Sequence, residues 1–182
     1  MRGEKGFTLT ELMVVAAIVA ILLAIGVPSY SYITKSYRMS SEVNGLLGDL
    51  QFARAEAIKE GQFVTVCVSS DGATCAGTTS WQSGWIVYSN PASNTVPAAN
   101  SVLRVQSAFG GSTPDTFVAD NAVSAVTFNR EGFATTAVGF PNTTITLHER
   151  TANPVWTRCL WITPVGVVTT ETPATNPSGT CA

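Results

Sequence analysis

Glu11 is the residue whose position most needs a chemical explanation, because it is an acid at the start of an otherwise uncharged apolar run. No charged residue occurs between Leu12 and Val27. As a helix, Phe7–Val27 would rise about 30 Å, enough to cross the hydrocarbon core of a bilayer. A carboxylate inside such a span costs roughly 2.5–3.5 kcal/mol unless it lies shallow or is paired. Glu11 therefore either lies at the headgroup boundary or has a cationic partner.

A cationic partner would arise if the chain were cut between Gly6 and Phe7. The new amine of Phe7 would lie four residues before Glu11, on the same face of a helix. It could then pair with that acid in the same chain or in a neighbouring copy. The segment also differs from an ordinary signal peptide, because its apolar run is long, lacks a small-x-small end and has an acid in its first turn. The sequence therefore predicts a membrane-spanning helix.

Four cysteines could form disulfides or bind a metal. Zinc is disfavoured because no Cys-x-x-Cys occurs and His148 is the only histidine. An even number of cysteines fits an oxidising exterior, because the chain is anchored by an N-terminal helix whose preceding basic residues, Arg2 and Lys5, should stay on the inner side. Four cysteines allow three pairings. We favour Cys67–Cys75 and Cys159–Cys181, because each pair is close in sequence and would close a local loop.

No catalytic site is evident in the sequence. His148 lies on the polar side of its strand, no acid pair has local support, and no glycine pattern opens a helix as phosphate binding requires. We therefore predict no enzyme activity, no cofactor and no metal. The tryptophans could stack on a ligand, but such residues are more often core or interface residues, and we favour that interpretation. Two of them are expected to be the more exposed, Trp81 and Trp156.

The secondary structure that carries these residues is predicted to be a long helix followed by a β-rich region. Pro28 lacks an N–H and would clash with the carbonyl of Ala24, which predicts a kink there. From Val43 to Ile58 the apolar residues recur at spacings of three and four, so one face of the helix should be buried. Gly61 is a natural C-cap. We expect one helix from Phe7 to about residue 60, apolar in its first half and amphipathic in its second.

The remainder of the chain is predicted to be β. Apolar and polar residues alternate in short segments, separated by loops rich in Ser, Asn, Pro and Gly. The residues after the anchor number roughly 150, enough for one domain of ordinary size. The predicted fold class is α+β, a long helix packed on an antiparallel sheet. The expected strands are Gln62–Ser69, Gly84–Tyr88, Ser101–Phe109, Val123–Arg130, Phe133–Val138, Thr143–Glu149, Arg158–Thr163 and Val165–Thr170, with a hairpin at 131–132.

A short basic leader ending in Gly6, followed by Phe-Thr-Leu-Thr-Glu-Leu and an apolar helix, resembles the class III signal of type IV pilins and pseudopilins. The resemblance implies that a prepilin peptidase cuts after Gly6 and that Phe7 becomes N-methylated. It also implies that Glu11 is the carboxylate used in subunit docking, and that Pro28 is the proline that kinks the helix. The implied fold is the type IV pilin fold. The implied divisions are a cleaved leader (1–6), a transmembrane and filament-core helix (7–28), an amphipathic helix (29–61) and a β-rich head (62–182).

Further segments resemble the GspH/FimT group of pseudopilins and minor pilins. They include the helix segment 49–58, Val64–Cys67, Trp81–Tyr88 and Arg158–Ile162. DNA-binding members of the group share a Gly-Arg-x-Arg stretch near the C-terminus, where this chain has Gly166-Val167-Val168-Thr169. The net charge is −2, and phosphate binding needs clustered cations. We therefore expect no strong nucleic-acid binding, although the scattered arginines could still meet in three dimensions (Arg104, Arg130, Arg150 and Arg158).

The resemblance implies a FimU-like minor pilin that primes assembly and lies at or near the tip of a type IV pilus used in adhesion and twitching motility. Two alternatives stay open, a GspH-like subunit of a type II secretion pseudopilus and a FimT-like DNA-binding minor pilin for transformation. The expected partners are other minor pilins and the major pilin (or pseudopilins), the prepilin peptidase, the inner-membrane assembly platform and the membrane, through residues 7–28. The expected location is the bacterial inner membrane, as a single-pass protein with its head in the periplasm, and then the assembled pilus at the cell surface.

Overall fold

The computed structural model describes residues 6, 8–91, 97–98, 101–110, 115–136, 139, 142–151, 153–176 and 181, with the side chain of residue 28 left out. The leader residues 1–5 and Phe7, on which the predicted cleavage and methylation depend, therefore lie outside the described residues. The chain divides into two compact units, Met1–Arg38 and Met39–Ala182. We refer to the second unit as the head and describe each unit separately.

One helix, α1, runs from Leu9 to Glu60, which confirms the predicted long helix. It ends at Gly61, whose left-handed backbone (φ +67°) and N–H bond to the carbonyl of Ala57 (3.0 Å) form the expected C-cap. The large apolar side chains of the first unit are exposed along α1. In the head, α1 buries one face at spacings of three and four, composed of Met39, Val43, Leu46, Leu50, Ala53 and Ala57.

Within the described residues, nine strands follow α1 and form two antiparallel sheets in the head. The five-stranded sheet has the order β3-β2-β1-β5-β6, and the four-stranded sheet has the order β4-β7-β8-β9. A short 3-10 turn, Trp81–Ser83, leads into the second strand. The strands are β1 (Phe63–Val68), β2 (Gly84–Asn90), β3 (Val102–Ser107), β4 (Thr116–Ala119), β5 (Ala125–Phe128), β6 (Ala134–Thr136), β7 (Thr143–His148), β8 (Arg158–Ile162) and β9 (Val168–Glu171).

Alternation along the strands explains where the core lies. Val64, Val66 and Val68 of β1 belong to the main core with the buried face of α1 and apolar residues from both sheets. The intervening residues of β1 face the other side of the five-stranded sheet. There Cys67 joins a smaller cluster with Ile86, Tyr88 and Ala125. A side-chain period of two thus gives this sheet two apolar faces, of which the one against α1 is the larger.

The predicted α+β class and the antiparallel sheets are confirmed, and eight of the observed strands fall within or beside the predicted segments. The expected hairpin at 131–132 is present, because β5 pairs with β6 across that turn. The strand β4 was not predicted. The last two residues of the predicted strand Phe133–Val138 lie outside the described residues.

Candidate functional site

The N-terminus of α1 has a defined capping geometry around Glu11. Thr8 stands immediately before the first helical residue, and its Oγ1 accepts a bond from the backbone N–H of Glu11 (3.3 Å). Thr8-x-x-Glu11 is the sequence pattern of a capping box, and a carboxylate in the first turn also interacts favourably with the helix dipole. Thr8 is thus the residue that caps α1, and Glu11 contributes its backbone N–H to that cap.

The first unit presents an unusually apolar surface. The large apolar side chains of α1 from Leu9 to Val27 are all exposed, by 47–76%. By length and composition α1 can cross a membrane. Such a surface is stable only against lipid or other apolar helices. The α-helical assignment also continues through Pro28, so the structure shows no break there, and a kink at that residue stays a prediction.

Both disulfides of the favoured pairing are present. Cys67 of β1 is bonded to Cys75, and Cys159 of β8 is bonded to Cys181. The first bridge closes the loop around Asp71. In that loop the Asp71 carboxylate accepts bonds from the Thr74 hydroxyl and from the backbone N–H groups of residues 73 and 74. These bonds hold the pKa of Asp71 well below its usual range. The second bridge fastens the C-terminal tail to the four-stranded sheet.

An acid of α1 connects the helix to two strands of the head. Asp49 accepts a bond from the indole N–H of Trp85 (2.8 Å) and a charge-assisted bond from Arg104 (3.0 Å). The Arg104 guanidinium also lies over the ring of Phe52, 3.7 Å from its centroid. Through these contacts α1 holds β2 and β3, and β3 is the strand at one edge of the five-stranded sheet.

The tryptophans do not form an exposed stacking surface. Trp81, Trp85 and Trp156 are buried, so the expectation that Trp81 and Trp156 are exposed is wrong. The Trp81 indole donates to the carbonyl of Val123 (3.1 Å), which allows this polar ring to be buried in the core. Trp85 also meets Phe109 and Phe117 edge-on. Trp161 is partly exposed on β8. The three buried rings are therefore core residues, in agreement with the core or interface role favoured from the sequence.

Arg54 of α1 joins turns from both sheets. Its Nε donates to the carbonyl of Gly132, in the β5–β6 turn, and its Nη2 donates to the carbonyl of Val165, in the β8–β9 turn, both at 3.1 Å. Gly166 packs so tightly that a β-carbon there would lie 2.0 Å from the Gly132 carbonyl oxygen. The backbone N–H of Ala134 also donates to the carbonyl of residue 164 (2.9 Å). These turns therefore form one rigid surface.

A groove of about 410 Å³ lies beside this surface, and we call it the α1–β9 groove. Ile58 at its rim was predicted to be buried on the apolar stripe of α1. It is 52% exposed, because its neighbour Ala57 occupies the core-facing position at this end of the helix. Val165, Val167 and Phe133 are exposed around the groove. Its lining includes Arg54, Ala55, Ile58, Gly166, Val167 and Val168.

Three of the four scattered arginines bond or pair with groups beside them on separate elements, and they do so without forming a cluster with one another. Arg104 pairs with Asp49, and Arg130 lies 3.5 Å from the acid of the neighbouring residue 131. Arg158 donates to two backbone carbonyls. Within the part of the chain that the structure describes, no group of three or more His, Cys, Asp or Glu residues could hold a metal ion. His148 lies half-buried, its ring 3.3 Å from a threonine hydroxyl.

Two family models match the chain. The model described as type II transport protein GspH matches residues 42–166, about two thirds of the chain. The prokaryotic N-terminal methylation motif matches residues 1–27. Together these matches cover most of the head and the apolar part of α1.

Similar proteins are pilins. The chain is 31% identical to the type IV major alpha-pilin of Moraxella bovis over 158 residues, which are 86% of each protein. It is 42% identical over 62 residues to a fimbrial protein of Pseudomonas aeruginosa, a match that spans 34% of this chain and 40% of that relative. Among solved structures, the type IV minor pilin FimU of Pseudomonas aeruginosa has the same fold, with a TM-score of 0.58 and 22% identity over 81% of this chain and 96% of that one.

The matches agree with the exposed apolar helix, the leader motif and the two-sheet head. Proteins of these families are structural subunits rather than enzymes, and they assemble with other pilins. The leader motif and the apolar helix indicate anchoring in a membrane before assembly. The chain therefore belongs to the GspH family of pilin-like structural subunits and has the type IV pilin fold.

Proposed function

We propose that the chain is a minor pilin of a type IV pilus, FimU-like, which primes assembly and lies at or near the tip. The observation that carries this proposal is the exposed apolar surface of α1 between Leu9 and Val27, on a chain of the pilin fold. Such a surface can be buried first in a bilayer and later among the helices of neighbouring subunits. The minor role rests on the likeness to FimU, and adhesion and twitching motility follow from that role.

Maturation is proposed to follow the leader motif. A prepilin peptidase cuts between Gly6 and Phe7, and the new amine of Phe7 is methylated. The match of the methylation motif to residues 1–27 supports this step. Before assembly, residues 7–28 cross the bacterial inner membrane once. The β-rich residues 62–182, connected to that span through the amphipathic segment 29–61, lie in the periplasm. The assembly platform of that membrane is the partner for insertion into the filament, which then carries the subunit to the cell surface.

Glu11 is the proposed docking residue. The capping bond at Thr8 uses the backbone of Glu11 and leaves its carboxylate available for the amine of another subunit. Burial of an amine among apolar helices without an anion costs several kcal/mol, so the acid would decide which subunits enter the filament. The predicted kink at Pro28 would adjust α1 to its neighbours.

Mass spectrometry and fractionation test this proposal together. Sheared pili should contain the chain with N-methylated Phe7 as its first residue. Retention of Met1 in assembled filaments would contradict the maturation step. Absence of the chain from sheared pili, at normal membrane levels, would contradict the pilus assignment itself.

The second candidate is a subunit of a type II secretion pseudopilus. The match of the GspH model to residues 42–166 favours it specifically. Deletion of the gene distinguishes the two candidates: loss of pili and twitching supports the pilin, and loss of protein secretion with normal pili supports the pseudopilin.

DNA uptake, the third alternative, is separated by an affinity measurement. The turn at Gly166 that carries arginines in DNA-binding members carries exposed valines here, and Arg104 is paired within the head. The chain should therefore bind duplex DNA only non-specifically at physiological salt. A dissociation constant for duplex DNA below about one micromolar, rising steeply with salt concentration, would support the DNA-uptake function.

A further inference from the structure

Exposed apolar side chains gather around the α1–β9 groove. Among the described residues of the head, eight large apolar side chains are exposed, and four of them stand around this groove. The four are Ile58 of α1, Phe133 of the β5–β6 turn, and Val165 and Val167 of the β8–β9 turn. The other four are divided among β3, β4 and the turn at residue 155. Such a concentration of exposed apolar side chains indicates a contact surface.

The walls of the groove are fixed before any partner docks. The bonds of Arg54 hold the two turns to α1, and the packing of Gly166 on Gly132 holds the turns to each other. Ile58 joins the same packing, because a β-carbon at residue 132 would lie 3.0 Å from its Cδ1 atom. A volume of about 410 Å³ is large enough for an aliphatic side chain. Docking into such a preformed groove costs little conformational entropy.

Arg54 places a positive charge in the groove that no acid balances among the described residues. Its Nε and Nη2 donate to backbone carbonyls, which carry no net charge. The described residues that line the groove include no acid. Glu131 of the adjoining turn lies beside Arg130 instead, at 3.5 Å. Nη1 of Arg54 makes no bond to a described residue, so it can donate a charge-assisted bond to an incoming carboxylate.

An apolar wall beside an unbalanced cation fits one kind of partner segment. An aliphatic side chain of that segment would contact Ile58 and Val167, and a carboxylate beside it would reach Arg54. The apolar side chains of α1 cannot select a partner in this way, because hydrophobic contact is non-directional. A charge in a partly apolar groove can select one, since a neutral or basic segment leaves the cation unpaired.

We propose that the α1–β9 groove docks the head of a different pilin subunit, through a segment in which an exposed carboxylate stands beside an aliphatic side chain. This docking rests on the proposed function, because it names the feature by which a subunit that primes assembly selects its neighbour. The occupant is a different pilin, since a subunit at or near the tip has other pilins as its neighbours. Arg54 binds the carboxylate of that pilin, and the exposed apolar side chains around the groove cover its aliphatic side chain.

The test uses the full chain in cells that assemble pili. A photo-reactive p-benzoylphenylalanine replaces Val167, which is 43% exposed at the groove. After irradiation of sheared pili, we expect a cross-linked species that joins one copy of this chain to a different pilin, identified by peptide mass spectrometry. The cross-linked peptide of that pilin should contain an aspartate or glutamate beside an aliphatic residue. The matched control carries the same probe at Val155, which is 57% exposed in another turn, and should not give this species.

Two opposite substitutions at Gln51 test the charge. Gln51 is an exposed residue of the groove lining that makes no bond to a described residue, so neither substitution removes a contact of the fold. Gln51→Glu places an acid one turn before Arg54, where it neutralises the guanidinium, and it should lower the yield of the cross-linked species about fivefold. Gln51→Lys adds a cation instead and should leave the yield equal or higher. Tryptophan fluorescence of the purified chain verifies that both variants fold.

An exchange of charges between the two subunits makes the test specific. Replacement of the partner's cross-linked carboxylate by lysine should also lower the yield about fivefold when the chain itself has Gln51. In combination with Gln51→Glu the yield should recover, because opposite charges then face each other again. Two independent losses of yield would overturn the recognition by charge.

Each other result overturns a stated part. A probe at Val167 that links only to a second copy of this chain, or to no pilin at all, would overturn the docking and leave the proposed function intact. Equal yields in Gln51→Glu and Gln51→Lys would overturn the role of Arg54 in selecting the partner. Absence of the unmodified chain from sheared pili, at normal membrane levels, would overturn the proposed function and the docking with it.

Discussion

Apolar residues are arranged differently in the two halves of α1. In the first unit the apolar residues surround the helix and are exposed, whereas from Met39 onward they occupy one face and are buried. The buried face is explained by the core of the head. The exposed apolar surface has no such explanation within the chain, so its composition must be set by surroundings outside it, lipid or neighbouring helices. One continuous helix therefore serves assembly with one half and folding with the other.

Two acids of α1, Asp49 and Glu11, follow the same division. Asp49 is bonded to Trp85 and Arg104 inside the head. Glu11 stands at the start of the apolar half, where the structure gives its backbone a capping bond. The comparison implies that loss of Asp49 should affect folding, and that loss of Glu11 should affect assembly.

The largest expected effect is that of Glu11→Ala. The head should remain folded and membrane insertion intact, but entry into the filament should fail, because the Phe7 amine would be buried unpaired at a cost of several kcal/mol. Glu11→Gln separates docking from capping, since an amide can still serve in a capping box but carries no charge. We expect both variants to be lost from sheared pili at equal membrane levels. Normal assembly of Glu11→Gln alongside failure of Glu11→Ala would assign Glu11 to capping.

A matched pair of leucines tests the division directly. Leu50 is fully buried in the head, whereas Leu22 is exposed in the apolar half. Leu50→Ala should reduce the free energy of unfolding of the head by about 2–5 kcal/mol through lost burial and a cavity. Leu22→Ala should change it by less than about 0.5 kcal/mol. Unfolding of the full chain in detergent, followed by tryptophan fluorescence, measures both, because all four tryptophans lie in the head. Equal losses of unfolding free energy in Leu50→Ala and Leu22→Ala would contradict the division between the two halves of α1.

Elements with strong periodicity could be predicted from the sequence. The change from uniform apolarity to a stripe in α1, the strands with alternating residues such as β7 and the hairpin at 131–132 all have local causes. The favoured disulfide pairing also matches the structure, because each bridge joins cysteines close in sequence. These features depend on neighbours along the chain.

Features set by tertiary packing could not be predicted in the same way. β4 has only four residues, with Phe117 and Ala119 facing inward, too few for a clear period. Trp81 stands among polar residues, and its burial depends on the carbonyl of Val123, 42 residues away. The α1–β9 groove depends on contacts of Arg54 with turns 78 and 111 residues distant in the chain. The capping pattern at Thr8 was an available local signal.

Removal of a disulfide should have a smaller effect, on the stability of the head. The double substitution Cys159→Ser and Cys181→Ser should reduce the free energy of unfolding of the head by about 3 kcal/mol on the loop-entropy model. Removal of the Cys67–Cys75 bridge, which closes a shorter loop, should reduce it by slightly less. Neither pair of substitutions should alter membrane insertion, since α1 of the first unit contains no cysteine. Peptide mapping without reduction verifies the pairing in the wild type, and a Cys75–Cys159 link would contradict it.

The smallest effect is expected at Asp49, the acid of the folding half. Asp49→Asn keeps an oxygen for the buried indole N–H of Trp85 but loses the partly exposed pair with Arg104, so we expect a loss of no more than about 1 kcal/mol in the free energy of unfolding. Asp49→Ala also leaves the Trp85 N–H unbonded inside the core, which should raise the loss to about 1–3 kcal/mol. Denaturant unfolding measures both values. Assembly should be retained by both variants at equal membrane levels, in contrast to the Glu11 variants, and failed assembly of a stably folded Asp49→Asn would break the division between the two halves.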